Sequence, residues 1–495
     1  MPPALMRSHR PTGVFHGAIL TVSMRWTDRL IGFVSTLILA RLITPDDFGI
    51  IAMASLVIGL IDALLALGVN VALIQNRDAT QAHYDTAWTV RLAQSALAAA
   101  IIFCAAFPAA DYFNDARVTP VMQWLSLSML MLGFENIGIV NFQKEMRFGM
   151  EFRFVFYKRL TGFIVTIAAT LILRNYWALV IATIAARFSG VLFSYMMHPM
   201  RPRLSIEKLR EILSVSQWML VHSVGVYLNR GIDKMLLGRR APAGVVGGYA
   251  LADETSAMPT TEILAPMNRV LFPAFVAAKH DLRELKRLYL LAQGVQCLVG
   301  MSAGVGLALV AHETVLLLLG EQWLFVVPIA QVLALASVVE AITTSGAYVC
   351  VTLGAIRYGS LVNWSQVAVF VIAALLLLPQ GEAMHFAWLR LAVVGAGLFL
   401  SIALLMRALH NVRLVEIART VYRPLAGVCV MALAVIFVGQ HLHLPLLPAL
   451  AVKVATGAAV FTSTVVALWL AGGKPEGAES YLLSKAAPLF ARLAP

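Results

Sequence analysis

Apolar residues run along this chain in blocks of about 17 to 30, each closed by a charged or Pro/Gly-rich stretch. That is the length a helix rising 1.5 Å per residue needs to cross a hydrocarbon core roughly 30 Å thick. Cutting at those boundaries predicts about fourteen spans, over 17–42, 48–74, 87–107, 118–140, 155–173, 176–198, 212–237, 247–276, 288–311, 322–352, 356–379, 384–409, 422–442 and 449–471. The connections are short and leave no room for a soluble catalytic domain. Of 495 residues, 60% are hydrophobic and 13% charged, and the mean hydropathy is +0.81. A soluble domain could not cover itself with so few polar groups, so the chain is an all-α integral membrane protein.

The blocks carry an internal echo. "LAR" at Leu39 to Arg41, Gly49 and "IAMA" at Ile51 to Ala54 recur at an offset of 198 as "LGR" at Leu237 to Arg239, Gly247 and "YALA" at Tyr249 to Ala252. Each copy sits at a turn from an odd to an even span, with Pro45 or Pro242 nearby. Six spans is an even number, so the copies share one orientation and relate by an axis along the membrane normal, as parallel repeats do in transporters. The expected organisation is two pseudo-symmetric six-helix lobes around a central cavity plus two C-terminal helices. The N-terminal lobe takes 1–198, a basic cytoplasmic linker 199–211 reading as a short surface helix, the C-terminal lobe 212–410, and the two extra helices and tail 411–495. A second basic amphipathic stretch, "KHDLRELKRLY" from Lys279, is expected along the inner membrane face.

The formal charge of +12 points to topology and not to nucleic acid. With the N-terminus inside, segments such as 144–153, 201–210, 279–287 and 407–423 collect Lys and Arg, whereas the opposite ends hold only Arg41, Arg117, Arg174, Arg239 and Arg240. That roughly fourfold bias places both termini in the cytoplasm. Cys104, Cys297, Cys350 and Cys429 stand singly in apolar spans with no CxxC, so buried inert thiols are expected, with no metal and no cofactor. HExxH, GxSxG and Walker A patterns are missing, which leaves no nucleotide-driven or hydrolytic chemistry to place in this chain.

Charges near the midpoints of apolar blocks carry the functional information. Arg29, Asp62, Arg187, Glu262 and Glu340 stand there, and five such groups facing lipid would cost on the order of 12 to 17 kcal/mol. They are expected to face a wet interior, with internal pairing, for example of Asp62 with Arg187 or Arg29, accounting for part of the set. The first span groups Arg25, Asp28 and Arg29, and the seventh groups Arg230, Asp233 and Lys234, two cations around one acid in each case. Such clusters favour an anionic ligand, guanidinium forks matching phosphate oxygens, or else lock the outer end of a lobe. Asp62, Glu262 and Glu340 are candidates for coupling to a proton or sodium gradient. Arg91, Glu135, Lys158 and Arg159 lie near span ends and are expected to snorkel. Pro259, Pro266 and Pro273 share the eighth span with Asp253, Glu254 and Glu262. A helix so interrupted is expected to kink and line the interior, because freed backbone groups at membrane depth need protein or water around them.

Four blocks add a family resemblance: "ARLITPDDFGI" (Ala40 to Ile50), "LNRGIDKMLLGRRAPAGVVGGYALA" (Leu228 to Ala252), "LAPMNRVLFPAF" (Leu264 to Phe275, with Arg269, which joins the candidate cavity set) and "LLGEQWLFVVPIAQVLA" (Leu318 to Ala334). From about 17 to 410 the chain resembles the Wzx-type polysaccharide transporters, a branch of the multidrug/oligosaccharidyl-lipid/polysaccharide flippase superfamily. The resemblance implies a two-lobed cavity open alternately to each side of the bacterial inner membrane. It implies a substrate of oligosaccharide repeat units on undecaprenyl diphosphate, moved to the periplasmic leaflet for O-antigen, capsule or exopolysaccharide synthesis. Membrane lipids, and polysaccharide polymerase and chain-length proteins, are the partners it implies. A flippase for the peptidoglycan precursor lipid II, sharing lobes and carrier, and an ion-coupled small-molecule antiporter on the same fold are the alternatives. A glycan polymerase or ligase would need a large periplasmic loop, which this chain does not have.

Overall fold

The computed structural model describes residues 11–65, 68–76, 78–212, 217–378, 381–442 and 444–491. Among these the chain is helical, without a strand, and divides into two compact units, Met1–Val224 and Gly225–Pro495. The first unit holds α1 (Pro11–Leu42), α2 (Pro45–Leu65), α3 (Val69–Gln75), α4 (Gln81–Phe113), α5 (Val118–Phe134), α6 (Val140–Lys144), α7 (Phe148–Leu173), α8 (Trp177–Met197) and α9 (Leu209–Ile212). The unit boundary falls inside α10 (Gln217–Gly238). The second unit continues with α11 (Ala243–Ala277), α12 (Leu282–Leu309), α13 (Ala311–Leu318), α14 (Val327–Thr352), α15 (Ile356–Leu377), α16 (Ala383–Ala408), α17 (Leu414–His441), α18 (Leu446–Ala471) and α19 (Ala478–Ala491).

Local chemistry sets the helix ends. Thr80 and His83 form a reciprocal capping pair at the start of α4, and Asn114 closes it in the left-handed region, φ 55°. The Asp281 carboxylate caps α12 by accepting from the backbone N–H groups of Arg283 and Glu284, two donors that no intrahelical partner can satisfy. In the first unit α4 packs along α5, and α7 along both α8 and α1. In the second, α14 is the most buried apolar helix, wedged among α11, α12 and α16, while α17 and α18 pair and α17 leans on α12.

Among the described residues ten helices are long and apolar enough to span a bilayer, and an eleventh if the bent pair Val118–Phe134 and Ile137–Lys144 counts as one span. The expected fourteen would further need α1, α10 and α11, long helices whose charges keep them out of that apolar set. The predicted fourth span is not straight: it turns by 65° at Glu135 and Asn136. There the Asn136 backbone N–H donates to Ser194 Oγ of α8 at 2.9 Å, which fixes the corner. The prolines do not end the eighth span, since α11 runs through Pro259, Pro266 and Pro273 as one helix. The linker corrects its expectation as well, being extended from 198 to 206 with only the single turn α9 at its end. Of the thiols, Cys297 and Cys350 are buried as expected, but Cys104 and Cys429 lie on the protein surface. Both exposed thiols are on apolar helices, where a lipid neighbour is as good a solvent for sulfur as a core.

At one end of the first unit, Arg117 bridges Asp115 at 2.7 Å and Asp46 at 2.6 Å, tying the α4–α5 turn to the start of α2. The Arg117 side chain holds the Asp115 carboxyl below the ordinary carboxylate range, outweighing the opposing effect of burial. A depressed native pKa stabilises the fold above the unfolded value near 3.9, and that contribution is lost as pH falls through the native value. Thermal stability of the wild type should therefore fall more steeply below about pH 4 than that of Asp115→Asn, which has no carboxyl to protonate at this site. Parallel pH dependence in melting curves of the two proteins would count against the clamp.

Candidate functional site

Charges on the apolar helices are drawn into paired groups in each unit. In the first, Glu135 stands at the corner after α5, 5% exposed, and accepts from Arg91 Nη2 of α4 at 2.6 Å and Lys158 Nζ of α7 at 3.2 Å. These residues do not snorkel. A carboxylate buried against two cations is satisfied on both oxygens, and it holds three helices at the bend. The next residue of α7, Arg159, pairs with Asp28 of α1 at 3.0 Å. Gly32 makes this approach possible, because a Cβ there would come within 2.7 Å of the Arg159 guanidinium. Arg29 and Arg187 are half-buried, and Asp62 lies on an exposed face of α2 within the field of Arg187. Arg29, Arg91, Lys158, Arg159 and Arg187 thus oppose Asp28, Asp62 and Glu135, an excess of two positive charges.

In the second unit the seventh-span cluster is a part of a larger network. Asp233 is 1% exposed and accepts from the Tyr249 hydroxyl of α11 at 3.0 Å. Its neighbour Lys234 pairs with Asp253 of α11. Arg390 of α16, 6% exposed, donates from Nη2 to Glu340 of α14 at 2.6 Å and from Nη1 to the backbone carbonyl of Asn229 in α10. The Asn229 amide in turn donates to Asn363 Oδ1 at 3.0 Å and Gln366 Oε1 at 2.8 Å, both on α15. A methyl at Gly397 would overlap the Gln366 amide, so glycine makes room for this contact. Five helices meet in the network. Its ionised members are Asp233, Asp253 and Glu340 against Lys234 and Arg390, an excess of one negative charge.

These placements sort the predicted residues. Asp28, Lys234 and Glu340 are drawn into ion pairs with Arg159, Asp253 and Arg390, and Asp233 accepts from Tyr249. Arg230 is exposed, and Glu262 is half-buried on α11. The side chains of Arg25 and Arg269 lie outside the described residues. Sequence reasoning missed Arg390, which stands in the first third of its apolar block and not near the midpoint. The signal was present: a guanidinium seven residues into α16, and on α15 the amides Asn363 and Gln366, spaced by three and so on one helix face. Also missed was the ion pair of Lys453 in α18 with Glu313 in α13. Beside it an apolar cavity of about 630 Å³ opens between α12, α17 and α18, lined by residues such as Leu298, Met431, Val435, Phe461, Val465 and Trp469.

Residues 38–328 match the family of polysaccharide biosynthesis proteins. The chain belongs to this family. Among its curated relatives are the lipopolysaccharide biosynthesis protein WzxC of Escherichia coli (strain K12), 25% identical over 63% of this chain and 64% of that protein. The succinoglycan biosynthesis transport protein ExoT of Rhizobium meliloti (strain 1021) is 23% identical over 61% of this chain and 62% of its own length. Matches to these two therefore cover a little under two thirds of each relative. The teichuronic acid biosynthesis protein TuaB of Bacillus subtilis (strain 168) is 21% identical over 81% of this chain and 85% of its own length. The fold is that of the lipid II flippase MurJ in an inward closed conformation, with a TM-score of 0.74 and 11% identity over 91% of this chain and 99% of that one. An inward-facing multidrug MATE transporter follows at 0.62, with 14% identity over 80% of this chain and 100% of that one. This family member is thus a multi-pass membrane protein on the fold shared by those transporters, and its relatives are named for polysaccharide biosynthesis and transport.

Proposed function

We propose that the protein moves oligosaccharide repeat units linked to undecaprenyl diphosphate from the cytoplasmic to the periplasmic leaflet of the bacterial inner membrane, by alternating access, for surface or exported polysaccharide. The observation that carries this reading is the excess of guanidinium and ammonium groups at membrane depth in the first unit. A diphosphate head is the anion such groups suit, since forked N–H donors match its oxygens. Cationic drugs would meet repulsion there, which disfavours the antiporter alternative. The names of the relatives support a polysaccharide cargo over lipid II. The apolar cavity beside α18 has the lining of a site for a lipid chain. The protein acts as a transporter and not as an enzyme, and its product passes to polymerase and chain-length proteins. The basic bias of alternate connections supports cytoplasmic termini.

The three carboxylates of the second-unit network, Asp233, Asp253 and Glu340, outnumber its cations Lys234 and Arg390 by one, and binding of one proton or one sodium ion there would couple the cycle to a gradient. The test is translocation of a fluorescent undecaprenyl-diphosphate oligosaccharide in proteoliposomes containing the full chain. Transport above empty vesicles, accelerated by an imposed proton or sodium gradient, is expected. Rescue of a lipid II flippase-depleted strain without glycan transport would reassign the cargo, and rates indifferent to both gradients would remove the coupling role.

A further inference from the structure

The segment between α8 and α9 is bound along the first turns of α4 as an extended strap. The Asn136 amide donates to the Met200 carbonyl at 2.8 Å and anchors its start. The backbone N–H groups of Arg203, Ser205 and Lys208 then donate to Asp85 Oδ1 at 3.1 Å, Thr89 Oγ1 at 2.9 Å and Thr86 Oγ1 at 3.2 Å. Glu211 closes the far end on His83 at 2.9 Å, and Ile212 is buried among Leu73, Tyr84 and Ala87. So fixed a segment exposes, on either side of Ser205, two aliphatic side chains: Leu204 and Ile206 are each 72% exposed.

Depth decides what covers them. The helix α4 has 33 residues, about 50 Å at 1.5 Å per residue, of which the hydrocarbon core takes about 20 residues. Counting back from its far end, at Asp111 to Phe113, puts the core boundary between Arg91 and Gln94. Thr89, which holds Ser205, therefore lies roughly 3 to 8 Å beyond that boundary, inside a headgroup layer of about 5 to 7 Å per side. Charge decides which lipid. Arg201, Arg203, Lys208 and Arg210 outnumber Glu207 and Glu211 by two. Lys208 is spent on Glu211 at 3.0 Å, and Arg201 on the carbonyls of His198, Met200 and Tyr195. Arg203 and Arg210 are exposed, and among the described residues no ion pair engages either guanidinium.

We propose that this strap is a membrane-surface anchor: Leu204 and Ile206 enter the acyl boundary of the cytoplasmic leaflet while Arg203 and Arg210 hold the phosphates of anionic phospholipid. The leaflet rests on the sidedness given above; the contact with lipid does not. Two cations at an anionic surface shift a bound-to-free ratio by roughly thirtyfold. The experiment uses the full chain with its four cysteines replaced and Leu204→Cys carrying an environment-sensitive dye, in nanodiscs of pure phosphatidylcholine or with phosphatidylglycerol added. The expected result is a blue-shifted dye shielded from iodide, more so with phosphatidylglycerol, and a phosphatidylglycerol effect that disappears in Arg203→Gln/Arg210→Gln or in high salt. A dye as open to iodide as one on a soluble peptide in both bilayers overturns the anchor. So does shielding seen only in native membranes, which would mean a protein partner. Labelling of Leu204→Cys by an impermeant reagent added to whole cells would overturn the leaflet while leaving the nanodisc result standing, and it would also sink the proposed topology.

Discussion

Replacing Arg390 with methionine should be the most destabilising single change in the second unit. The guanidinium is buried and serves two helices at once, donating to Glu340 of α14 and to the Asn229 carbonyl of α10, in the field of Asp233 and Asp253. Removing one partner of a buried ion pair strands the other and costs about 3 to 5 kcal/mol. Glu340 is 45% exposed on its side chain and can rehydrate, so the low end of that range applies. The stranded backbone carbonyl of Asn229 and the network's larger negative excess keep it from falling further. Arg390→Lys preserves the charge, but a single ammonium cannot reach both acceptors with fork geometry, and it should recover only part of the loss. Arg390→Met with Glu340→Gln should be more stable than Arg390→Met alone, because the double variant buries no unmatched charge at that pair. Melting of the detergent-solubilised variants measures all three. A methionine variant that melts with the wild type would show the network to be dispensable.

How much of this was legible in the sequence follows from what each pattern encodes. Apolar block length marked the ten or eleven helices that, among the described residues, are apolar enough to span, since the hydrocarbon thickness fixes it whatever the tertiary fold. It failed at Glu135 and Asn136, where the bend depends on Ser194 of another helix, a contact between residues 58 apart in sequence. The eighth span, read as one block despite its three prolines, is one helix, α11, packed against α14 and α12. Mid-span charges marked where function would be sought, and Asp28, Asp233, Lys234 and Glu340 do lie in the two clusters. Their partners were not readable, because pairing across helices depends on helix rotation, which an apolar block does not specify. Arg91, Glu135 and Lys158 show this most plainly. Their nearness to span ends pointed to snorkelling, and instead they close on one another.

Arg29→Ala and Arg187→Ala should each abolish surface polysaccharide while the protein stays inserted at wild-type levels. On the proposed reading, the half-buried guanidinium groups of Arg29 on α1 and Arg187 on α8 are the ones that meet the diphosphate. A hydrogen bond to a charged group contributes about 1.5 to 3 kcal/mol, so loss of one guanidinium should lower transport by roughly ten- to a hundredfold. Lysine at either position should restore some activity, because charge remains and the fork does not. Arg91→Ala makes the contrasting control. It removes half of the Glu135 clamp and should reduce yield and melting temperature, with export falling only in proportion to the protein that survives. Normal export from both the Arg29→Ala and Arg187→Ala proteins would leave no role for the cationic excess of the first unit, and the diphosphate reading of this chain would go with it.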